Sequence, residues 1–287
     1  MRVSLICLVC AAAALAAPKR LPLRQFARVV FYRDSQKDPG RWIGQTAVGE
    51  YRHPKTKVTI FLLAMHHVGN RAYFDGLTRH TLDADIVLTE GAAGELATEK
   101  PKPENYPEAG RWLGRNLSAG AAIMDHSQQW HWESDIADKR WHHIDMKPGA
   151  LFEGIEQAGS DLIPKGLKSQ TLRWESIAKS GTKEQRAEAR AEVAKTIIAA
   201  LSNDAWRSRQ PETVGDRWHR KREAVMFKHI KTAVESKKHR RITVIVGAQH
   251  ARYLAPKLIA ELGLRHRSTA WHDFLDHEVP PGKPGKR

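Results

Sequence analysis

Two short stretches of this sequence share one grammar: an apolar run, a small residue, two intervening residues and a histidine. The first is Ala64-Met65-His66-His67 after the run Val58 to Leu63, and the second is Gly247-Ala248-Gln249-His250 after Ile242 to Val246. A third apolar run, Ile86-Val87-Leu88-Thr89, ends in Glu90 followed by Gly91, a residue that lets the backbone turn sharply. Two neutral imidazoles and one carboxylate form a ligand set for a divalent metal of manganese, cobalt or zinc type, with a position left for water. A water held there becomes a nucleophile. The spacing therefore points to metal-assisted hydrolysis with His67, His250 and Glu90 as ligands.

For these residues to meet, the runs before them must be neighbouring strands. Val58 to Met65 is almost continuously apolar, as a strand covered on both faces should be. The segments Phe26 to Arg33 and Trp42 to Arg52 read as strands too, the second joined to the buried run by the turn His53-Pro54-Lys55-Thr56. From Asn70 to Leu82 the apolar residues Tyr73, Phe74, Leu77 and Leu82 recur at helical spacing, and Ala84 to Gly91 returns to a strand. Strand, helix, strand predicts a βαβ unit with parallel strands. In parallel α/β sheets ligands bind beyond the carboxyl ends of strands, where both histidines and Glu90 fall.

The middle of the chain, about residues 95–210, reads as a helical cap or insert. Pro101, Pro103 and Pro107 mark a loop, Tyr106 to Met124 holds one helix, and Thr182 to Leu201 an amphipathic one with Val193, Ile197, Ile198 and Leu201 on its apolar face. The sheet resumes with Ile242 to Val246, preceded by helical spacing through Asp216 to Glu235 and followed by a helix from Ala255 to Leu262. The fold class expected is α/β: a central, mostly parallel or mixed sheet with helices on both faces, in a single domain over residues 18–279.

The ordered set of these motifs resembles the TraB/GumN/TIKI family. Its members look like an apolar strand, Gly-x-x-His, a helix, an Ala-Asp-Val-Val-x-x-Glu-Gly strand, and a second Gly-x-x-His near the C-terminus. Here the matching residues are His67, then Ala84-Asp85-Ile86-Val87 with Glu90-Gly91, then Gly247 with His250. The family's Arg-acid-x-x-Met helix is matched by Arg222-Glu223-Ala224-Val225-Met226, and a mid-chain His-x-Asp-Met by His143-Ile144-Asp145-Met146. Similarity runs from about Val58 to Trp271, patchily in the middle. The resemblance implies a fold related to erythromycin-esterase-like and ChaN-like proteins, and metal-dependent peptidase activity in some members. Ala64 departs from the pattern, standing where the first motif normally has Gly; alanine serves if its φ is negative. The ChaN-like relatives imply an alternative: a non-catalytic protein whose histidines hold a ligand such as haem, or serve sensing or sequestration.

Several residues carry two readings. Adjacent strand-end side chains point to opposite faces, so only one of His66 and His67 reaches the site, and the motif register favours His67. Glu90 is either a ligand and catalytic carboxylate or the partner of Arg222 in a structural ion pair. Arg222 then either orients that carboxylate or stabilises a developing oxyanion. His143 and Asp145, at spacing two, share one face if the segment is a strand; they are either further ligands or a polar strand end. Trp130, His131, Trp132 and Trp141 are a substrate platform or ordinary packing.

Composition narrows the classes. Met1-Arg2 and the apolar stretch Val3 to Ala17, ending Ala14-Leu15-Ala16, read as a signal peptide over residues 1–17, too short for a spanning helix. This predicts an exported, periplasmic or extracellular protein, with an uncleaved N-terminal membrane anchor as the alternative. Both cysteines, Cys7 and Cys10, fall inside that segment, so cysteine-based hydrolysis is disfavoured. No Gly-x-Ser-x-Gly elbow and no phosphate-cradling Gly-x-x-x-x-Gly-Lys loop occurs. The net charge of +15 favours acidic partners such as anionic envelope polymers or a membrane surface. No nucleic-acid-binding motif accompanies it, so a peptide or small-molecule substrate is expected instead. The closing Pro280 to Arg287 is expected to be a disordered basic tail.

Overall fold

The buried run that ends at Met65 forms the strand Thr59–Met65, and its alternation sets the two faces of the sheet. The computed structural model describes residues 23–32, 41–91, 107–128, 133, 138–162, 166–202 and 213–278. The expected signal segment, the residues Trp130, His131 and Trp132, and the C-terminal tail lie outside this set. Nine strands are described: β1 (Ala27–Tyr32), β2 (Arg41–Arg52), β3 (Thr59–Met65), β4 (Val68–Gly69), β5 (Ile86–Thr89), β6 (Ser127–Gln128), β7 (Trp141–His143), β8 (Arg241–Gly247) and β9 (Arg265–Glu278). The described helices are α1 (Arg71–Leu82), α2 (Glu108–Met124), α3 (Pro148–Leu162), α4 (Leu167–Ser180), α5 (Lys183–Ser202), α6 (Val214–Glu235) and α7 (Ala248–Ala260).

Seven strands make one sheet in the order β1-β2-β3-β8-β5-β7, with β9 also on β2, and β4 pairs β6 separately. β3, β8, β5 and β7 run parallel, while β2 is antiparallel to β1, β3 and β9. The expected α/β fold with a mixed sheet is therefore the fold observed. One expectation is refined: the strands on either side of α1 are parallel but not adjacent, because β8 lies between β3 and β5.

On one face Ile60, Leu62 and Ala64 of β3 and Ile242, Val244 and Val246 of β8 pack under Met226, Phe227 and Ile230 of α6 and Leu254 and Leu258 of α7. On the other, Leu63, Met65, Val87, Trp141 and Ile245 pack with Tyr73, Phe74 and Leu77 of α1, Ala194 of α5, and Phe274 and Leu275 of β9. Each large side chain so buried stabilises the fold by about 1.5–3 kcal/mol, which is why an apolar run without alternation becomes a central strand. Part of the mid-chain helical region thus belongs to the sheet's own core, through Ala194. Two further helices of that region, α2 and α4, close on α5 around Ala119, Ile123, Trp174, Ala189 and Val193.

Local signals fix the helix starts. The Asn70 side chain accepts from the Tyr73 N–H at 2.8 Å and caps α1. Thr213 and Asp216 make a reciprocal capping box at α6, fixing the phase of the helix that carries Arg222. The helix after β8 begins at Ala248 rather than Ala255, so His250 stands in its first turn. Among the described residues no helix is long and apolar enough to cross a membrane.

Candidate functional site

Because β3, β8 and β5 are consecutive parallel neighbours, the three motif ends open side by side. His67 lies two residues past β3, Glu90 directly follows β5, and His250 is the third residue of the helix that β8 enters. Backbone bonds hold this corner: the Glu90 N–H donates to the Ile245 carbonyl at 2.8 Å, and the Gly247 N–H donates to Glu90 Oε2 at 2.7 Å. Gly247 is pressed from the side-chain direction as well. A Cβ there would stand 3.3 Å from Glu90 Oε2 and 3.5 Å from His67 Nε2. The absent side chain therefore leaves the gap on which His67 and Glu90 converge. Ala64, by contrast, lies within β3 without a left-handed backbone and is 1% exposed, so the departure from the Gly-x-x-His pattern costs the strand nothing.

Glu90 is paired with Arg222 and touched by His250 at once. Arg222 Nη2 donates to Glu90 Oε1 at 2.6 Å, and His250 Nε2 lies 3.3 Å from the same oxygen. Arg222 is anchored from behind by Asp145, with Nε donating to Oδ2 at 2.9 Å and Nη2 to the same oxygen at 2.5 Å. His250 Nδ1 lies 3.2 Å from Glu223 Oε1. This contact fixes the ring so that Nε2 faces Glu90, the arrangement by which a carboxylate orients a ligand imidazole. Burial works against the Glu90 charge, yet the cationic His250 and Arg222 outweigh it and hold the carboxyl well below its usual range. Burial likewise opposes the His250 charge, but Glu90 and Glu223 prevail and raise its pKa to about 9. Without a metal, His250 thus holds its proton at neutral pH.

The structure places each of these residues in turn. His67, Glu90, His250, Gly247 and Arg222 are brought together. Arg222 is nearly enclosed and bonded to two carboxylates, so its geometry is that of an orienting group. Asp145, 1% exposed, serves Arg222 instead of standing as a ligand. His66 is not in this cluster: its ring stacks on Phe274 at 4.2 Å, and Nδ1 meets the Val68 carbonyl at 2.7 Å. Burial lowers its pKa to about 4. His143 ends β7 opposite Thr89 and packs against the turn after Glu90, where a Cβ on Gly91 would stand 2.7 Å from its Nδ1. That nitrogen is buried with no hydrogen-bond partner. Trp141 is a core residue of the α1 face.

Glu223 was matched only as the acid of the Arg-acid-x-x-Met pattern and given no role, and Trp218 and His219 of the centre were not anticipated. The Trp218 ring lies 4.7 Å from the Arg222 guanidinium, and the His219 ring 5.3 Å from that of His250. Their signal was the i, i+4 spacing of Trp218 to Arg222 and of His219 to Glu223, which turns all four toward one side of α6.

Among the described residues no three His, Asp or Glu side chains stand ready to hold a metal ion in this arrangement. The donors nonetheless fit a divalent ion in kind: the His67 Nε2 and the Glu90 carboxylate at the Gly247 gap, and the His250 Nε2 3.3 Å from that carboxylate with Glu223 behind it. For His250 to join them it must release its proton. No family model, curated protein or solved structure matches the chain, so the assignment of this centre rests on its own geometry.

Proposed function

We propose that this protein is a metal-dependent hydrolase, peptidase-like in its chemistry, whose centre is His67, Glu90 and His250. The observation that carries the reading is that these three side chains meet at the ends of three adjacent parallel strands, around a gap left by Gly247. A divalent ion bound there would supply an activated water and polarise a substrate carbonyl. The protein's own groups do the positioning. Glu223 presents His250 Nε2, the Gly247 N–H and Arg222 hold the Glu90 carboxylate, and Asp145 fixes Arg222.

Elemental analysis of purified protein tests this, with His67→Ala and His250→Ala beside the wild type. Stoichiometric manganese, cobalt or zinc in the wild type, lost in both variants, is expected, together with hydrolysis of a peptide or ester panel that disappears with it. Metal content unchanged by both substitutions would end the proposal.

A second reading is a non-catalytic ligand-binding protein on the same scaffold. It is favoured by the closure of the ion network, in which both His250 nitrogens already face carboxylates. A haem titration whose absorbance change requires His67 or His250 would support it, and a flat titration would remove the haem version. Either reading includes export directed by residues 1–17, checked by the N-terminal sequence of secreted protein.

A further inference from the structure

We propose that Trp218 is a positioning residue for Arg222, and that helix α3 fixes it in place through Gly154. Asp145 and Glu90 hold the Arg222 guanidinium in its plane through Nε and Nη2, and its flat faces are open to other contacts. The indole of Trp218, one turn earlier on α6, covers one of them with the guanidinium carbon 4.7 Å from the ring centroid. An aromatic face over a partly desolvated guanidinium attracts the cation and keeps water from it.

The indole is itself held by shape. A Cβ on Gly154 would stand 1.9 Å from Trp218 Nε1 and 2.1 Å from its Cδ1, so the five-membered edge of the ring lies against the α3 backbone. Trp218 is 8% exposed, and its Nε1 is buried with no hydrogen-bond partner. Contact with α3 on one side and the cation on the other therefore fixes the ring. The line runs from Gly154 through Trp218 and Arg222 to Glu90 Oε1. Helix α3 belongs to the mid-chain helical region, so the placement of that region reaches the carboxylate at the strand ends.

The consequence for hydrolysis rests on the reading of Glu90 and Arg222 as the working centre, but the test does not. The probe is the Arg222 Nε–H signal in nitrogen-15 spectra of the folded protein, assigned by its loss in Arg222→Lys. Trp218→Leu keeps the site filled but removes the aromatic face. It should speed exchange of that proton about tenfold, the factor expected for one partly desolvated cation–π contact. Trp218→Phe retains a ring and should restore most of the protection. Gly154→Ala should perturb the signal in the wild-type background and leave it unmoved in Trp218→Leu, whose flexible side chain presents no rigid indole edge to the new methyl. Unchanged exchange in Trp218→Leu would overturn the positioning role. An equal effect of Gly154→Ala in both backgrounds would overturn the role of α3. A responding signal in protein that binds no metal would support this inference while removing the hydrolase reading.

Discussion

Arg222 is the side chain through which the carboxyl groups of the site are joined. Replacing it by Met leaves Glu90 and Asp145 buried without their cation, at a cost of about 3–5 kcal/mol, measurable by urea denaturation. Glu223 acts on His250 alone. In Glu223→Gln, the His250 titration followed by NMR should fall from about 9 toward the ordinary histidine value. The histidines and Glu90 were legible in the sequence because their signal is local: residue type, spacing and the end of an apolar run. Alternation along a strand implied that only one of His66 and His67 reaches the site, and the choice of His67 came from the register of the family motif it resembles. The sequence left Glu90 open between ligand and ion pair because the answer depends on where α6 lies, a tertiary fact. Asp145 stayed open between further ligand and polar strand end for the same reason, its partner standing 77 positions away.

Elements were legible where one force dominated. β3 and β8 are buried on both faces and announce themselves as apolar runs. β9 went unread because Arg265–Glu278 spreads His, Arg and Asp among few apolar residues, of which Phe274 and Leu275 are fully buried. The start of α7 was hidden because Gly247 offers no side-chain cap. The insertion of β8 between β3 and β5 has no local signature at all. Two substitutions test the strand ends. Ala64→Gly restores the usual motif and should lose about 1 kcal/mol of stability through backbone entropy and a missing methyl group, with metal content unchanged. Gly91→Ala should be worse, by about 1–3 kcal/mol, because φ is +152° and the new methyl meets His143.

Across the whole molecule, buried histidines set the dependence of stability on pH. Burial first of all lowers the pKa of His66, His80 and His126 to about 4. Their unfolded value is about 6.5, so the stability they confer is present above that pH and is lost as pH falls toward 4. His250 has the opposite sign: raised to about 9, it stabilises below 6.5 and loses this as pH climbs to 9. For the metal-free protein, thermal midpoints should therefore peak near pH 6.5 and fall on both sides, and His250→Gln should flatten the alkaline limb. A peak far from neutrality, or an alkaline limb indifferent to that change, would contradict this account. The basic surface was plain from the +15 net charge. If it docks the protein on anionic envelope polymers, retention on such a polymer should drop steeply with added salt. One architectural feature also governs how the molecule comes into being. Strand β2 pairs along its whole length with β9, so that Arg41 bonds Asp276 across 235 positions of chain. Loops of that span close slowly, and no shorter piece of the chain can complete this edge. Until β9 is available, β2 lacks its long antiparallel partner, so this part of the sheet closes late in folding.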